Sequence, residues 1–437
     1  MARRAVMTAA VCVAAAAGTA IAPAQAADAP AGTGTWHVVH PGESVQAAVD
    51  AARPGDTVFL MPGTYRGTVR IGTSDVTLRG SGAGQTVLAP PTTADQSTTA
   101  PADPAPLAPT AGGTAAAPTG GTVSGAPTRS GGTTATTAST PSTPSSPSTV
   151  PGGTAAATPA TGPGETSAGT GTGTGTAAGT AECGQPGSGV CVTGAADVRV
   201  TDLTVTGFAT YGLWASAADR LTVSGVRADA NGLYGIGQER SVRGRFTRNE
   251  ASGNGEAGLF VANTVSEEGG ATDTQGTLIS GNTLKDNHMG LVVRRLRDVT
   301  VERNTMTGNC AGAFLVGDEN TPRAGELTVE RNTVTDNNAY CAATARLPYV
   351  QGAGIVLTGV ENTRLSGNTV TGNVGASPLS GGIVLFPSFT GGPSSGISVL
   401  DNTVLSNGPA DLADNDHGTG NTFTGNDCSV SVPAGRC

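Results

Sequence analysis

Short apolar–polar alternations recur through the second half of the chain, each punctuated by a corner with two Asn five residues apart. The corners read RNEASGN (248–254), GNTLKDN (281–287), RNTMTGN (303–309), RNTVTDN (331–337), GNTVTGN (367–373), DNTVLSN (401–407) and GNTFTGN (420–426). Three residues before the first Asn stand Phe246, Ile279, Val301, Val329, Leu365 and Val399. Two residues after it stand Ala251, Leu284, Met306, Val334, Val370, Val404 and, in the last corner, Phe423. Side chains alternate across a strand, so these positions point to one face. Gly-led apolar runs follow many corners: GLWA (212–215), GLFV (258–261), GLVV (290–293), GAFLV (312–316), GIVL (354–357) and GIVLF (382–386). The pattern predicts coils of three short strands whose inward apolar columns stack into one core.

The first Asn of each corner falls at Asn249, Asn282, Asn304, Asn332, Asn368, Asn402 and Asn421, in steps of 33, 22, 28, 36, 34 and 19 residues. A helical repeat would hold its period, because inserted residues rotate its apolar face. A coil of strands tolerates insertions at its corners. Leu203 and Val226 mark two earlier coils, with Asn231 already in the place of the second Asn. An Asn amide both donates and accepts. Stacked on successive coils, these seven Asn are expected to form a ladder, their short side chains tolerating the backbone of a tight bend.

The repeat resembles the right-handed parallel β-helix repeats of the pectin-lyase-like superfamily, over residues 36–88 and 183–437. The resemblance implies an all-β solenoid. It spans several functions: polysaccharide lyases, hydrolases, epimerases and a copper-delivery accessory family. Residues 36–90 read as the N-terminal cap and opening coil. Ser44 caps a short helix whose Val45, Ala48, Val49 and Ala52 share one face, and Pro54-Gly55 stops it. In the superfamily such a helix plugs the first coil. Residues 181–437 read as the remaining coils. Between them, residues 91–180 are almost all Thr, Ala, Gly, Pro and Ser. Such a composition cannot bury enough surface to offset ordering entropy. The 50-odd residues before it are too small a core to stand alone, so the segment reads as a disordered loop extruded from one continuous β-helix.

The start of the chain places it outside the cell. Arg3 and Arg4 precede an apolar run (5–21) and Ala24-Gln25-Ala26, a small-residue cleavage site. This is a secretory signal peptide with cleavage expected after Ala26, leaving 27–35 as a flexible N-terminus. No later stretch is long enough to span a membrane. Losing Arg3 and Arg4 takes the formal charge from −9 to −11, with 22 basic against 33 acidic residues. That balance argues against nucleic acid and anionic membranes as partners, and disfavours polyuronates unless Ca²⁺ bridges them. Six Cys remain in an oxidising compartment. Spacing pairs Cys183 with Cys191 and Cys428 with Cys437. Cys310 and Cys341 lie one coil apart, near the second Asn of each corner. Coils stack about 4.8 Å apart and bridged Cα atoms need roughly 4.4–6.8 Å. No C-x-x-C pair occurs, and no metal site or cofactor is expected.

Alternation puts Leu213, Leu259, Leu291 and Ile355 inside. It puts Trp214, Phe260, Val292, Phe314, Val356 and Val384 on the outer face of the first-strand sheet, with Phe386 beyond. The chain has only 2 Trp, 5 Tyr and 8 Phe, so Trp214, Phe260, Phe314 and Phe386 on one face read as a surface that stacks sugar rings. The plainer alternative is that loops cover them. Insertions at 339–351 and 374–380 before the strands, and at 265–275, 318–323 and 387–395 after them, wall this face on both sides. At its edge stand Glu239, Arg294, Asp318 and Glu319. A lyase would use the Arg as base and the carboxylates for Ca²⁺. A glycosidase needs two carboxyls about 5–9.5 Å apart, whereas Glu239 and Asp318 are three coils, about 14 Å, apart. Motifs of the superfamily's enzymes are missing: no NTD…DD…GHG and no DPHD occurs, RLP (346–348) is isolated, and HGTG (417–420) reads as a corner. His37, His40, His288 and His417 are scattered, against copper delivery. The residues therefore favour a protein that binds extracellular or cell-wall polysaccharide. The alternatives are a polysaccharide lyase or glycoside hydrolase using the same groove, and a structural or adhesive surface rod.

Overall fold

The computed structural model describes residues 34–92, 187–265, 269–344 and 347–437. The expected signal peptide, nearly all of the N-terminal stretch to 35, nearly all of the low-complexity segment and Cys183 lie outside the described residues. Among the described residues the chain forms three parallel sheets, of 11, 12 and 11 strands, and one helix. Each coil contributes one strand to each sheet. Tyr211–Ser216 lies in the first sheet, Thr222–Ser224 in the second and Arg227–Asp229 in the third, before the chain returns to the first at Tyr234–Glu239.

The expected core columns are the observed ones. Leu213, Ile236, Leu259, Leu291, Ala313, Ile355, Ile383 and Leu412 are consecutive partners in the first sheet, all buried. They face Val223, Phe246, Ile279, Val301, Val329, Leu365 and Val399 of the second sheet and Ala228, Ala251, Leu284, Met306, Val334, Val370 and Val404 of the third. At the N-terminal end the helix Val45–Ala51 starts at Ser44, whose side chain accepts the Ala47 N–H at 3.1 Å, and Val45 and Val49 are buried against the first coils.

Two Asn ladders run along the corners. In the first, each Nδ2 donates to the next Oδ1 from Asn249 through Asn282, Asn304, Asn332 and Asn368 to Asn402. The second runs Asn231, Asn254, Asn287, Asn309, Asn337, Asn373 and Asn407. It ends on Asp411, whose Oδ1 accepts from Asn407 while Oδ2 accepts the Ser429 and Val430 N–H groups. The Gly that leads each first strand makes room for this row: a Cβ on Gly258 would lie 2.8 Å from Asn287 Nδ2.

Two expectations about the corners need correction. The first ladder ends on Asn426, not Asn421: Asn402 Nδ2 donates to Asn426 Oδ1 at 2.9 Å. The strand Thr422–Thr424 pairs with Ser398–Leu400 of the second sheet, which puts Phe423 beside Val399. The last GNTFTGN thus holds the strand before a ladder Asn, and the earlier ones the strand after it. The two are spelled alike because both are T-apolar-T. Nor is the Asn the residue that takes the unusual backbone. Its predecessor does: Arg248, Gly281, Arg303, Arg331, Gly367 and Asp401 all have φ between 50° and 66°. The Asn is there for its amide.

The coils before and after the low-complexity segment are direct neighbours. Val69–Ile71 pairs with Val190–Thr193, Thr77–Gly80 with Arg199–Thr201, and Thr86–Ala89 with Thr204–Thr206. No rung of any sheet is skipped. Replacing residues 91–180 by a short Gly/Ser bridge is therefore expected to leave the fold intact. Loop-closure entropy changes by only about 0.6 kcal/mol per doubling, so the excised protein should be more stable by about 1–2 kcal/mol. Calorimetry checks this; loss of the cooperative transition would assign the segment a structural role.

Candidate functional site

The outer face of the first sheet carries three columns, set by the strand register. The first reads Tyr211, Tyr234, Ala257, Met289, Ala311 and the second Trp214, Gly237, Phe260, Val292, Phe314. The third reads Ser216, Glu239, Ala262, Arg294, Val316. With residues from the flanking loops they build a second apolar layer outside the coil.

This layer changes the reading of the aromatic row. Trp214 is 0% exposed, Phe260 6% and Phe314 4%. Trp214 does not face solvent as an open stacking surface. Its indole leans over Gly237, where a Cβ would sit 2.6 Å from its Cζ3. It packs against both Tyr211, at 4.6 Å, and Tyr234, at 5.8 Å, ring centroid to centroid, while the two tyrosines stack on each other at 5.4 Å. Tyr234 in turn stacks on Phe260 at 4.3 Å with the rings 6° from parallel. Trp214 is covered by rings of the sheet strands, Tyr211, Tyr234 and Phe260, rather than by the loops of the plainer alternative.

Phe260 and Phe314 instead line a cleft of about 220 Å³. Its floor is Ala257, Met289, Val292 and Val316, and Tyr234 flanks Phe260. Its walls come from three of the expected insertions: Val265, Leu347 and Phe389. Phe389 is 49% exposed and packs on Phe386, 5.3 Å between centroids, so Phe386 supports the wall from outside the lining. Leu347 sits on a segment closed by the Cys341–Val350 backbone pair, with N···O distances of 2.9 and 3.0 Å. The Cys310–Cys341 disulfide, Cα atoms 6.0 Å apart, ties that segment to the sheet. The Cys428–Cys437 disulfide closes the last coil. The partner expected for Cys191, Cys183, lies outside the described residues.

Charged groups line the cleft before and after its strands. Arg294, at the end of the strand Met289–Arg294, lines it while donating to the Thr264 carbonyl at 3.0 Å. Glu256 lines it from just before the strand Ala257–Ala262. His288 Nδ1 is 3.9 Å from a Glu256 oxygen, and burial holds the imidazole below its ordinary pKa. The other acidic candidates do not line the cleft. Glu239 is buried as a strut, accepting from Ser216, Arg240 and the Val265 N–H. Asp318 is buried in an ion pair with Arg295 and accepts the Asn320 N–H. Glu319 is exposed beside it. Among the described residues the lining of the cleft includes one carboxylate, Glu256. Among the described residues no group of three or more His, Cys, Asp or Glu is placed to hold a metal ion, and no helix is long and apolar enough to cross a membrane.

Sequence reasoning missed Tyr234, Glu256, Met289, Leu347 and Phe389 as lining. Tyr234 and Met289 stand three residues before Gly237 and Val292, where strict alternation assigns the inner face, so only the observed packing places them with the outer layer. Leu347 and Phe389 sit in irregular insertions, where no period assigns a face.

The family model for the right-handed beta helix region matches residues 175–267 and 269–436, and the chain belongs to that family. No curated protein matches its sequence. Among solved structures it is similar to the A-module of the Azotobacter vinelandii mannuronan C-5 epimerase AlgE6, at 17% identity over 89% of this chain and 94% of that one, with a TM-score of 0.40. It is similar to an alginate lyase from Paenibacillus sp. str. FPU-7, at 13% identity over 83% and 98%, with a TM-score of 0.43. Against the periplasmic alginate epimerase AlgG the figures are 16%, 56% and 53%, and 0.39, so the chain spans about half the length of AlgG. At such scores the chemistry of this chain rests on its own residues.

Proposed function

We propose that this protein is secreted, with cleavage after Ala26, and binds an extracellular polysaccharide on the outer face of the first sheet. The aromatic-walled cleft between Phe260 and Phe314 is the observation that carries this reading. Rings at both ends of a concave, mostly apolar site, with polar groups at its edges, are the usual make-up of a small-ligand pocket. At about 220 Å³ it falls below the usual range of roughly 300–1,000 Å³. It therefore seats one group carried by the polymer, the rest of which runs over the surface. Binding of this kind needs no cofactor; Ca²⁺ enters only if the groove proves to be that of a lyase. The −9 formal charge of the whole chain favours a neutral glycan over a polyanion.

Phe314→Ala is expected to weaken binding of a neutral cell-wall polysaccharide about tenfold, near 1.4 kcal/mol, the scale of a lost aromatic contact. Titration calorimetry measures it, with a melt to establish that the variant is folded. Unchanged affinity would move the site away from the cleft. Unsaturated products absorbing in the ultraviolet would replace the binding reading with the lyase reading.

A further inference from the structure

We propose, resting on the polysaccharide reading above, that the cleft seats a planar hydroxyaryl acyl group esterified to the glycan and leaves the sugar outside. The first reason is the shape of the second outer column. It places rings at Phe260 and Phe314 but Val292 between them. Coils about 4.8 Å apart put the two ring positions about 10 Å apart, and Val292 occupies less of that interval than a ring would. The void is a slot with an aromatic ring at each end. The second reason is orientation. Phe260 ends a near-parallel stack, 6° from Tyr234, which is 13° from Tyr211. Aromatic groups prefer offset stacking or edge-to-face contact, so a planar ligand ring extends the stack.

The third reason is where the polar groups lie. A bare pyranose carries hydroxyls around its whole rim, and each one buried without a partner is costly. The floor of Met289 and Val292 and the walls of Leu347 and Phe389 offer no side-chain partner. Among the described lining residues the charged partners lie along the strand direction, Glu256 before the strands and Arg294 after them. A hydroxyaryl ester matches that arrangement. Its phenolic O–H donates to the Glu256 carboxylate, its ester carbonyl accepts from the Arg294 guanidinium, and its middle is flat and apolar.

The test is titration calorimetry with the mature full-length protein. The probes are a neutral oligoxyloside bearing one 4-hydroxycinnamoyl ester, the same oligosaccharide after saponification, and methyl 4-hydroxycinnamate alone. The esterified oligosaccharide is expected to bind at least tenfold more tightly than the saponified one, and the methyl ester to compete with it. Val292→Phe, which fills the slot, is expected to erase that preference. Should Val292→Phe fail to fold, Phe389→Ala at the exposed wall is expected to reduce the preference severalfold. Equal binding of the two oligosaccharides overturns the aryl slot and leaves the polysaccharide reading standing. Binding of the methyl ester alone keeps the slot and sinks the polysaccharide reading. No binding by any probe, or a preference untouched by the folded slot variants, overturns this proposal.

Discussion

Asn304→Ala is expected to cost about 3–5 kcal/mol of folding stability. Its Oδ1 accepts from the Asn282 N–H at 2.9 Å and from Asn282 Nδ2 at 2.8 Å. Its Nδ2 donates to the Ile279 carbonyl at 2.9 Å and to Asn332 Oδ1 at 3.0 Å. Alanine removes one side chain and leaves four groups short of a partner in a corner where Asn304 is 1% exposed. Each orphaned buried polar group costs about 1–3 kcal/mol, with part recovered because Asn282 Nδ2 keeps the Phe246 carbonyl and Asn332 Oδ1 keeps the backbone N–H of residue 304. Denaturant unfolding measures the loss. Asn421→Ala is the contrast. Asn421 is only half-buried and accepts the Ile397 N–H at 3.1 Å without joining the row, so its loss should cost about 1 kcal/mol. A cost at Asn421 equal to that at Asn304 would restore Asn421 to the ladder and undo the strand assignment of the last coil.

That contrast marks where the sequence could be read and where it could not. The coil columns were legible because one apolar residue per strand recurs at fixed distance from an Asn, and burial enforces that phase: a slip of one residue would turn Val301 or Val334 to the outside. The last corner was misread because Phe423 fits the rule from either side, and only the pairing of Thr422 with Ser398 decides. The bend was assigned to Asn because Asn tolerates left-handed backbone. Arg303 and Arg331 show that a long side chain takes it where the ladder beside it must keep its geometry.

The candidate site was half legible. The cleft lies on the sheet face that register pointed to, and three of the five expected insertions supply its walls. Which rings remain available was not, because that depends on how a neighbouring coil is cut away. Gly237 faces Trp214 in the register, and its missing Cβ lets the indole lie down along the coil axis and join Tyr211 and Tyr234 in a stack. Val292 faces Phe260 and Phe314 and leaves a recess. One small residue closes the face over a ring, and another opens it. The difference is one of volume between adjacent coils, which alternation alone does not report.

The pair Trp214 and Gly237 gives that volume argument a quantitative form. Trp214→Ala is expected to cost about 3–5 kcal/mol, the range for deleting a large buried aromatic side chain, because the indole is wholly buried among Tyr211, Tyr234 and Phe260. Gly237→Ala is expected to cost about 1–3 kcal/mol by overpacking. Its Cβ would stand 2.6 and 2.7 Å from Trp214 Cζ3 and Cε3, and the stacked rings leave the indole little room to retreat. Stiffening of the unfolded chain by alanine returns about 0.4–1 kcal/mol at most. The double variant should be less costly than the sum of the two, by about 1–2 kcal/mol, since alanine at 237 fits once the indole is gone. Near-ultraviolet circular dichroism should lose the Trp214 contribution in both Trp214→Ala proteins, leaving that of Trp36, while in Gly237→Ala the Trp214 band should change shape. Strict additivity of the two substitutions would mean that the indole does not lie over Gly237, and the closed part of the sheet face would then have to be counted as open to ligand.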